Sequence, residues 1–371
     1  MLRSGKMEGI GYFTYESMKR ITKRHPEHQF IFLFDRPFDS QFIFSDNITP
    51  VIVPPAARHP ILWYVWCEWA LPRIFNKYKP DVFVGTDGYL SLHSNVKSLA
   101  VIHDIHFAHQ PEDLPFFPRT FLRHYFPKYA RAANRIAAVS NFTANDIVSL
   151  YNVDRSKIDI VYNGAGDGFR PTDKNSNQKI REKYTQGQPY FLFIGAIHQR
   201  KNITNLLKAF DQFKKNIPSP VKLVFAGNRR WWTTEMETIF NELSYQSDIL
   251  FTGRITDEDL YAITGGALAV TYVSTFEGFG IPIVEGMKAG VPVLTSNITS
   301  MPEIAGDAAL LCDPFSIESI SAGLTSLYSD EKLRSTLIQK GTIRARDFTW
   351  DKTADGLWAS IEKVLQITHS E

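Results

Sequence analysis

The chain has 371 residues, 44% of them hydrophobic and 22% charged, which suits an ordinary globular protein of two domains. A formal net charge of +2 excludes a strongly electrostatic nucleic-acid binder. Two cysteines, Cys67 and Cys312, without partners at metal spacing, exclude a disulfide framework and a zinc site.

The opening "MLRSGKMEGIGYF" has no apolar signal core. The most apolar window, "ILWYVWCEWAL" (61–71), is about half the length a bilayer span needs and holds Glu68, so it reads as a core helix. A cytoplasmic protein is expected. Short apolar β-type runs then recur between helical patterns. In the first half they are "FIFLF" (30–34), "DVFVG" (81–85), "SLAVIHD" (98–104), "RIAAVS" (135–140) and "IDIVYNG" (158–164). In the second half they are "YFLFIGA" (190–196), "VKLVFAG" (221–227), "ILFTG" (249–253), "LAVTYVS" (268–274) and "GVPVLTS" (290–296).

Continuous apolar strands alternating with helices mean parallel sheets covered on both faces. Two such series predict an α/β protein with two Rossmann-like, doubly wound domains. An eight-fold barrel is the weaker alternative, because the polar "GDGFRPTDKNSNQ" (166–178) interrupts the series where a linker belongs. The expected domains are 1–165 and 166–349. A terminal amphipathic helix, "FTWDKTADGLWASIEKVL" (348–365), opens a last segment, 350–371, expected to pack back on the first domain.

A doubly wound sheet binds ligands at the carboxyl ends of its strands. After "FLFIGA" comes "IHQRKNITNLLKAF", where Asn202 is placed to cap a helix behind Arg200 and Lys201. Cations beside a helix N-terminus oppose its dipole, so they read either as an anion site or as a solvated basic turn. After "LAVTYVS" comes "TFEGFGIPIVEGMKAG". Gly278 and Gly280 let the backbone approach a ligand at the start of a helix. Glu277 is expected at the helix mouth and Glu285 about two turns inside, among Ile281, Ile283, Val284, Met287 and Ala289. In "TDEDLYAI", Thr256 reads as an N-cap and the Asp257–Asp259 pair as first-turn acids rather than metal ligands.

"FEGFGIPIVEGMKAGVPVLTSNITSMPEIAGDAALLCDP" closely resembles the signature of the retaining, nucleotide-sugar-dependent glycosyltransferases of the GT-B fold, the large family-four (group 1) type. Their glutamate, seven residues, glutamate hallmark corresponds here to Glu277 and Glu285. "GAIHQRKNITNLLKAF" resembles their phosphate-binding stretch. "EGIGYFTYES" (8–17) resembles their glycine-rich acceptor-side loop, "VIHDIHF" (101–107) their His-Asp stretch and "IAAVSNFTANDI" (136–147) their serine-bearing strand end.

The resemblance implies two such domains facing across a cleft. It also implies that Glu285 holds the donor ribose and Glu277 the donor sugar hydroxyls. The N–H groups of Gly278, Phe279 and Gly280 would meet sugar and phosphate, and Lys201 with Arg200 would neutralise the leaving diphosphate. His103 would face the reacting sugar, Gly9–Gly11 would approach donor phosphate and acceptor, and Arg254 would lie near the base. Two departures stand out: Ala196 occupies a position where many relatives carry arginine, and the family's opening β-strand is missing before the glycine stretch.

The implied reaction is metal- and cofactor-independent transfer of a hexose, of mannose or glucose type, from a nucleotide diphosphate sugar to a glycan or lipid-linked acceptor with retention. A nucleotide-sugar epimerase of the same fold and a non-catalytic binding relative remain as alternatives. For 115–135, with six Phe or Tyr residues from Phe116 to Tyr129 interleaved with Arg119, Arg123, Lys128 and Arg131, two readings stand. One is a core-packed helix with a solvated basic face. The other is a peripheral contact with anionic lipid at the inner face of the plasma membrane.

Overall fold

The computed structural model describes Met7 and residues 9–229 and 231–366. Glu8, which heads the expected glycine-rich stretch, and 367–371 of the expected terminal segment lie outside the described residues. The chain divides into two compact units, Met1–Gly164 with Trp350–Glu371, and Ala165–Thr349.

The first unit holds strands β1 (Phe30–Phe34), β2 (Ile48–Ile52), β3 (Val82–Gly85), β4 (Lys97–Ile102), β5 (Arg135–Ala138) and β6 (Ile158–Ile160). They form two parallel sheets, β1-β2 and β3-β4-β5-β6, so among the described residues β1 and β3 each pair with one strand. β1 is half-buried along its whole length, whereas β4 and β5 are mostly buried. The helix Trp350–Gln366 lies on β3, β4 and β5 and against the helix Gly9–Arg24. Arg20 and Arg24 pair with Asp351, Arg24 also with Asp355, and Trp358 stacks 3.7 Å from His25.

The expected glycine-rich loop needs correction. Gly9 and Gly11 lie in the first turn of the Gly9–Arg24 helix, and Gly11 is buried. Phe13, Ser17, Met18 and Ile21 supply the buried stripe that a helix of this length requires.

The second unit is one six-stranded parallel sheet in the order β12-β11-β10-β7-β8-β9. Its strands are β7 (Tyr190–Ile194), β8 (Lys222–Ala226), β9 (Ile249–Gly253), β10 (Ala269–Tyr272), β11 (Val293–Ser296) and β12 (Leu310–Cys312). β7, β10 and β11 are buried at every position, as a sheet covered on both faces demands. All ten apolar runs read from the sequence form strands. β2 went unread, because its Thr49 and Pro50 break the apolar pattern and a proline is tolerated there only at a sheet margin. Among the described residues no helix is long and apolar enough to cross a membrane.

Candidate donor site in the second unit

Three chain segments converge where β7 and β10 end. The turn after β7 is a short 3-10 helix, Gln199–Lys201, closed by Asn202 at φ 59°. Thr275, just after β10, fixes that turn by donating to the Arg200 carbonyl from its N–H (2.8 Å) and its hydroxyl (3.1 Å). Asn202 does not cap the following helix with its side chain as expected. Its Nδ2 instead donates to the carbonyls of Val273 (3.0 Å) and Pro314 (2.6 Å), so it ties the turn to the β10 side of the sheet.

The turn thereby delivers both cations to Glu277. Arg200 Nη1 lies 2.9 Å from Glu277 Oε2 and also donates to the Phe276 carbonyl at 3.0 Å. Lys201 Nζ donates to Glu277 Oε1 and to the Tyr272 hydroxyl, and it lies 4.9 Å over the Tyr272 ring. Tyr272 O–H donates to the same Oε1 at 2.9 Å. Ser300 donates to the Glu277 carbonyl at 2.8 Å and holds the backbone in place. Burial alone would raise the Glu277 carboxyl, but Arg200 and Lys201 more than offset it and hold it at about 2. Glu277 therefore stays ionised, and two cations facing one anion leave the cluster with surplus positive charge. Burial, then Glu277, pushes the Tyr272 phenol upward, so it remains a donor.

Gly280 starts the helix Ile281–Lys288 from a left-handed conformation, φ 92°, that a side-chain-bearing residue resists. Phe279 is buried, with its ring 5.5 Å from that of Phe348. Glu285 lies one turn inside this helix, not two. Among the described residues no donor reaches its carboxylate. Burial, with the charge of Asp257 second, pushes its pKa up to about 8. A half-buried acid with no donor among the described residues keeps its acceptor capacity open.

Arg254 follows β9 directly and is exposed. Asp259 does not look toward a metal: it pairs with Lys183 at 2.7 Å and accepts from Tyr184 at 2.9 Å, while Thr256 caps its helix. Among the described residues no three His, Cys, Asp or Glu side chains are gathered as a metal site requires.

Sequence reasoning missed Tyr272, whose signal was a phenol at the carboxyl end of a buried strand. It also missed the loop after β8. Ile197 N–H donates to the Asn228 carbonyl at 3.0 Å, and Trp231 meets the His198 ring edge-on at 5.7 Å. A Cβ on Gly227 would sit 1.9 Å from the Gly195 carbonyl oxygen, so only glycine lets the two loops come this close. Arg229 lies 3.6 Å over the ring of Phe251 and 4.5 Å over that of Trp232, a further cation at the carboxyl edge of β8 and β9.

In the first unit, His103 follows β4. Its Nε2 contacts the Thr86 carbonyl at 3.0 Å and its ring meets Phe13 edge-on at 4.9 Å. Burial lowers its pKa to about 4 despite that carbonyl, so the imidazole is neutral at physiological pH. With Nε2 donating to Thr86, Nδ1 is the basic nitrogen. The structure thus gathers Arg200, Lys201 and Glu277 into one hydrogen-bonded cluster, sets Gly280 and Glu285 on the adjoining helix, and places His103 and Gly11 in the first unit.

Residues 175–344 match the family model "Glycosyl transferases group 1" and residues 7–166 match "Glycosyltransferase Family 4". The chain is 30% identical over 284 residues to an O-antigen chain mannosyltransferase B of Escherichia coli, which covers 76% of this chain and 73% of that protein. It is 26% identical over 319 residues to the O-antigen chain mannosyltransferase RfbU of Salmonella typhimurium (85% of this chain, 84% of that one). In fold it is similar to HepE of Anabaena, solved with UDP and glucose, at a TM-score of 0.75, 15% identity and 97% of each chain. The protein belongs to the group 1 glycosyltransferases, with the GT-B fold.

Proposed function

We propose that this glycosyltransferase moves a hexose, of mannose type in view of its O-antigen relatives, from a nucleoside diphosphate sugar to a glycan or lipid-linked acceptor in surface polysaccharide synthesis. The observation that carries the reading is the buried Glu277 carboxylate held between Arg200 and Lys201 at the mouth of the Ile281–Lys288 helix.

Glycosyl transfer breaks a bond between an anomeric carbon and a diphosphate through an oxocarbenium-like state, and negative charge grows on the leaving phosphate. Fixed positive charge aimed at that phosphate lowers the barrier. Arg200 and Lys201 supply it from a turn that needs no reorganisation, which supports a reaction without a metal ion. Glu277 keeps both cations in place and offers its carboxylate to sugar hydroxyls. Glu285 takes the ribose diol, whose two hydroxyls supply the hydrogen bonds it lacks. A neutral His103, in the first unit, keeps Nδ1 as an uncharged acceptor. With retention, the acceptor hydroxyl proton passes to the departing phosphate oxygen on the same face as attack. A lipid-linked acceptor places the enzyme peripherally at the inner face of the plasma membrane, with contact through 115–135.

The test is a transfer screen across nucleoside diphosphate sugars with a glycan acceptor, with and without chelator, reading the anomeric configuration of the product by NMR. An α-linked product from an α-linked donor, formed equally with chelator, is expected. Inverted product, or transfer abolished by chelator and restored by a divalent ion, removes the corresponding part of the reading.

A further inference from the structure

Two helical segments of the first unit leave large apolar side chains in solvent. The first runs through Pro60–Val65, a π-helical stretch Trp66–Ala70 and Leu71–Tyr78. The second is Phe116–Ala132. They lie alongside each other in step, with ring contacts His59–Phe117 (5.8 Å), Trp63–Phe121 (5.4 Å) and Tyr64–Tyr125 (5.5 Å). The inward sides are core: Cys67, Phe121, Phe126 and Tyr129 are buried together. The outward sides carry Ile61 (64% exposed), Trp69 (56%), Phe116 (63%) and Phe117 (61%). Isolated exposed apolar residues need no explanation, but four of this size on one helix pair do.

Charge says what covers them. Arg73 and Arg123 are exposed on the same pair of segments and Arg58 just ahead of the first, and Arg119 lies 5.8 Å over the Phe116 ring, with Lys128 5.4 Å over Tyr125. The acid within the first segment, Glu68, is turned inward: its Oε2 accepts from Leu92 N–H at 2.8 Å and contacts His93 Nδ1 at 2.8 Å, and its side chain is 0% exposed. From residue 114 to 135 the sequence holds no acid, and Glu112 and Asp113 lie just ahead of it. Exposed aromatic side chains flanked by cations are the chemistry of a surface that sinks rings into acyl chains while its charges meet anionic headgroups.

We propose that Ile61, Trp69, Phe116 and Phe117, with Arg58, Arg73, Arg119 and Arg123 around them, form a docking face for a bilayer surface bearing anionic headgroups. This rests on the reading of a membrane-borne acceptor and extends it from one helix to a two-helix face of named residues.

The full chain is pelleted with vesicles of phosphatidylcholine, with or without about a third phosphatidylglycerol, at about 0.1 M and about 0.5 M salt. Binding selective for the anionic vesicles and weakened by salt is expected. The double variant Phe116→Ala/Phe117→Ala should reduce it about tenfold. The double variant Arg119→Glu/Arg123→Glu should reduce it at least as much, with circular dichroism unchanged in both. Equal pelleting on neutral vesicles, no pelleting, or binding untouched by both variants overturns the proposal. So does a concentration-dependent dimer that both variants dissociate, since the face would then belong to a second copy. Transfer to a soluble acceptor fragment, measured in parallel, keeps the two readings apart: transfer without pelleting sinks the docking face alone, and pelleting without transfer sinks the reaction alone.

Discussion

Glu277 and Glu285 stand eight positions apart in one stretch, the first buried and the second half-buried, and their carboxyls are driven in opposite directions, to about 2 and about 8. The difference lies in what the fold brings to each. A turn from another strand carries Arg200 and Lys201 to Glu277, whereas nothing among the described residues donates to Glu285, and Asp257 adds like charge. Two acids pushed apart in this way suit the two roles proposed for them: a permanently charged one that orders cations, and one left open for a ligand. Their pH signatures are opposite as well. A carboxyl lowered on folding lends stability above about pH 4.5 that disappears as pH falls toward 2. A carboxyl raised on folding holds its proton longer than the unfolded chain does, so stability falls as pH rises from about 4.5 to about 8.

The largest effect is expected at the first acid. Glu277→Ala leaves Arg200 and Lys201 facing each other without an anion, and it releases the cations from their alignment. Loss of one member of such a buried cluster costs about 3 kcal/mol of stability, readable in a urea titration, and transfer should fall by about a hundredfold or more. If the variant melts and turns over like the parent, the cluster is neither structural nor functional and the contrast between the two acids collapses.

Glu285→Gln sharpens the same contrast with the opposite sign. Removing a half-buried carboxylate whose pKa is raised should raise the melting temperature at pH 8.5, leave it nearly unchanged at pH 4.5, and flatten the fall between them. Donor affinity supplies the second readout. A ribose diol prefers the ionised carboxylate, so in the parent the affinity should rise as pH climbs from 6.5 through about 8, whereas the glutamine variant should bind more weakly with no such slope. A parent whose donor affinity is flat with pH would take the ribose role from Glu285.

How much of this was readable in the sequence follows from the range of the interactions. Apolar runs betray strands because burial on both faces leaves a local signature, so all of β7 to β11 was legible. The glutamate spacing and the basic turn after β7 were legible for the same reason: each is a short pattern. What was hidden depends on distant segments. Nothing near Arg200 or Lys201 announces that both close on Glu277, 76 or 77 positions later, or that Asn202 reaches Val273 and Pro314 rather than its own helix. Tyr272 looked like one more core residue. At Gly9 and Gly11 the error ran the other way: the loop was implied by the resemblance, whereas the side chains around the glycines carry a helical stripe.

The smallest effect probes the backbone that sets the two acids apart. Gly280 lies between them at φ 92° and turns the chain from the Glu277 mouth into the helix that carries Glu285. In Gly280→Ala the new Cβ would lie 2.9 Å from Ile283 Cδ1, the movable end of its side chain, so the clash can relax while the left-handed backbone cannot. That strain amounts to about 1–2 kcal/mol. If the turn yields, Glu277 shifts relative to Arg200 and Lys201, and transfer drops by more than stability alone explains. If the melting temperature falls by a few degrees with donor affinity and transfer unchanged, the cluster is rigid enough to hold its geometry against its own helix start. The first outcome makes the glycine part of the site, and the second confines it to the fold.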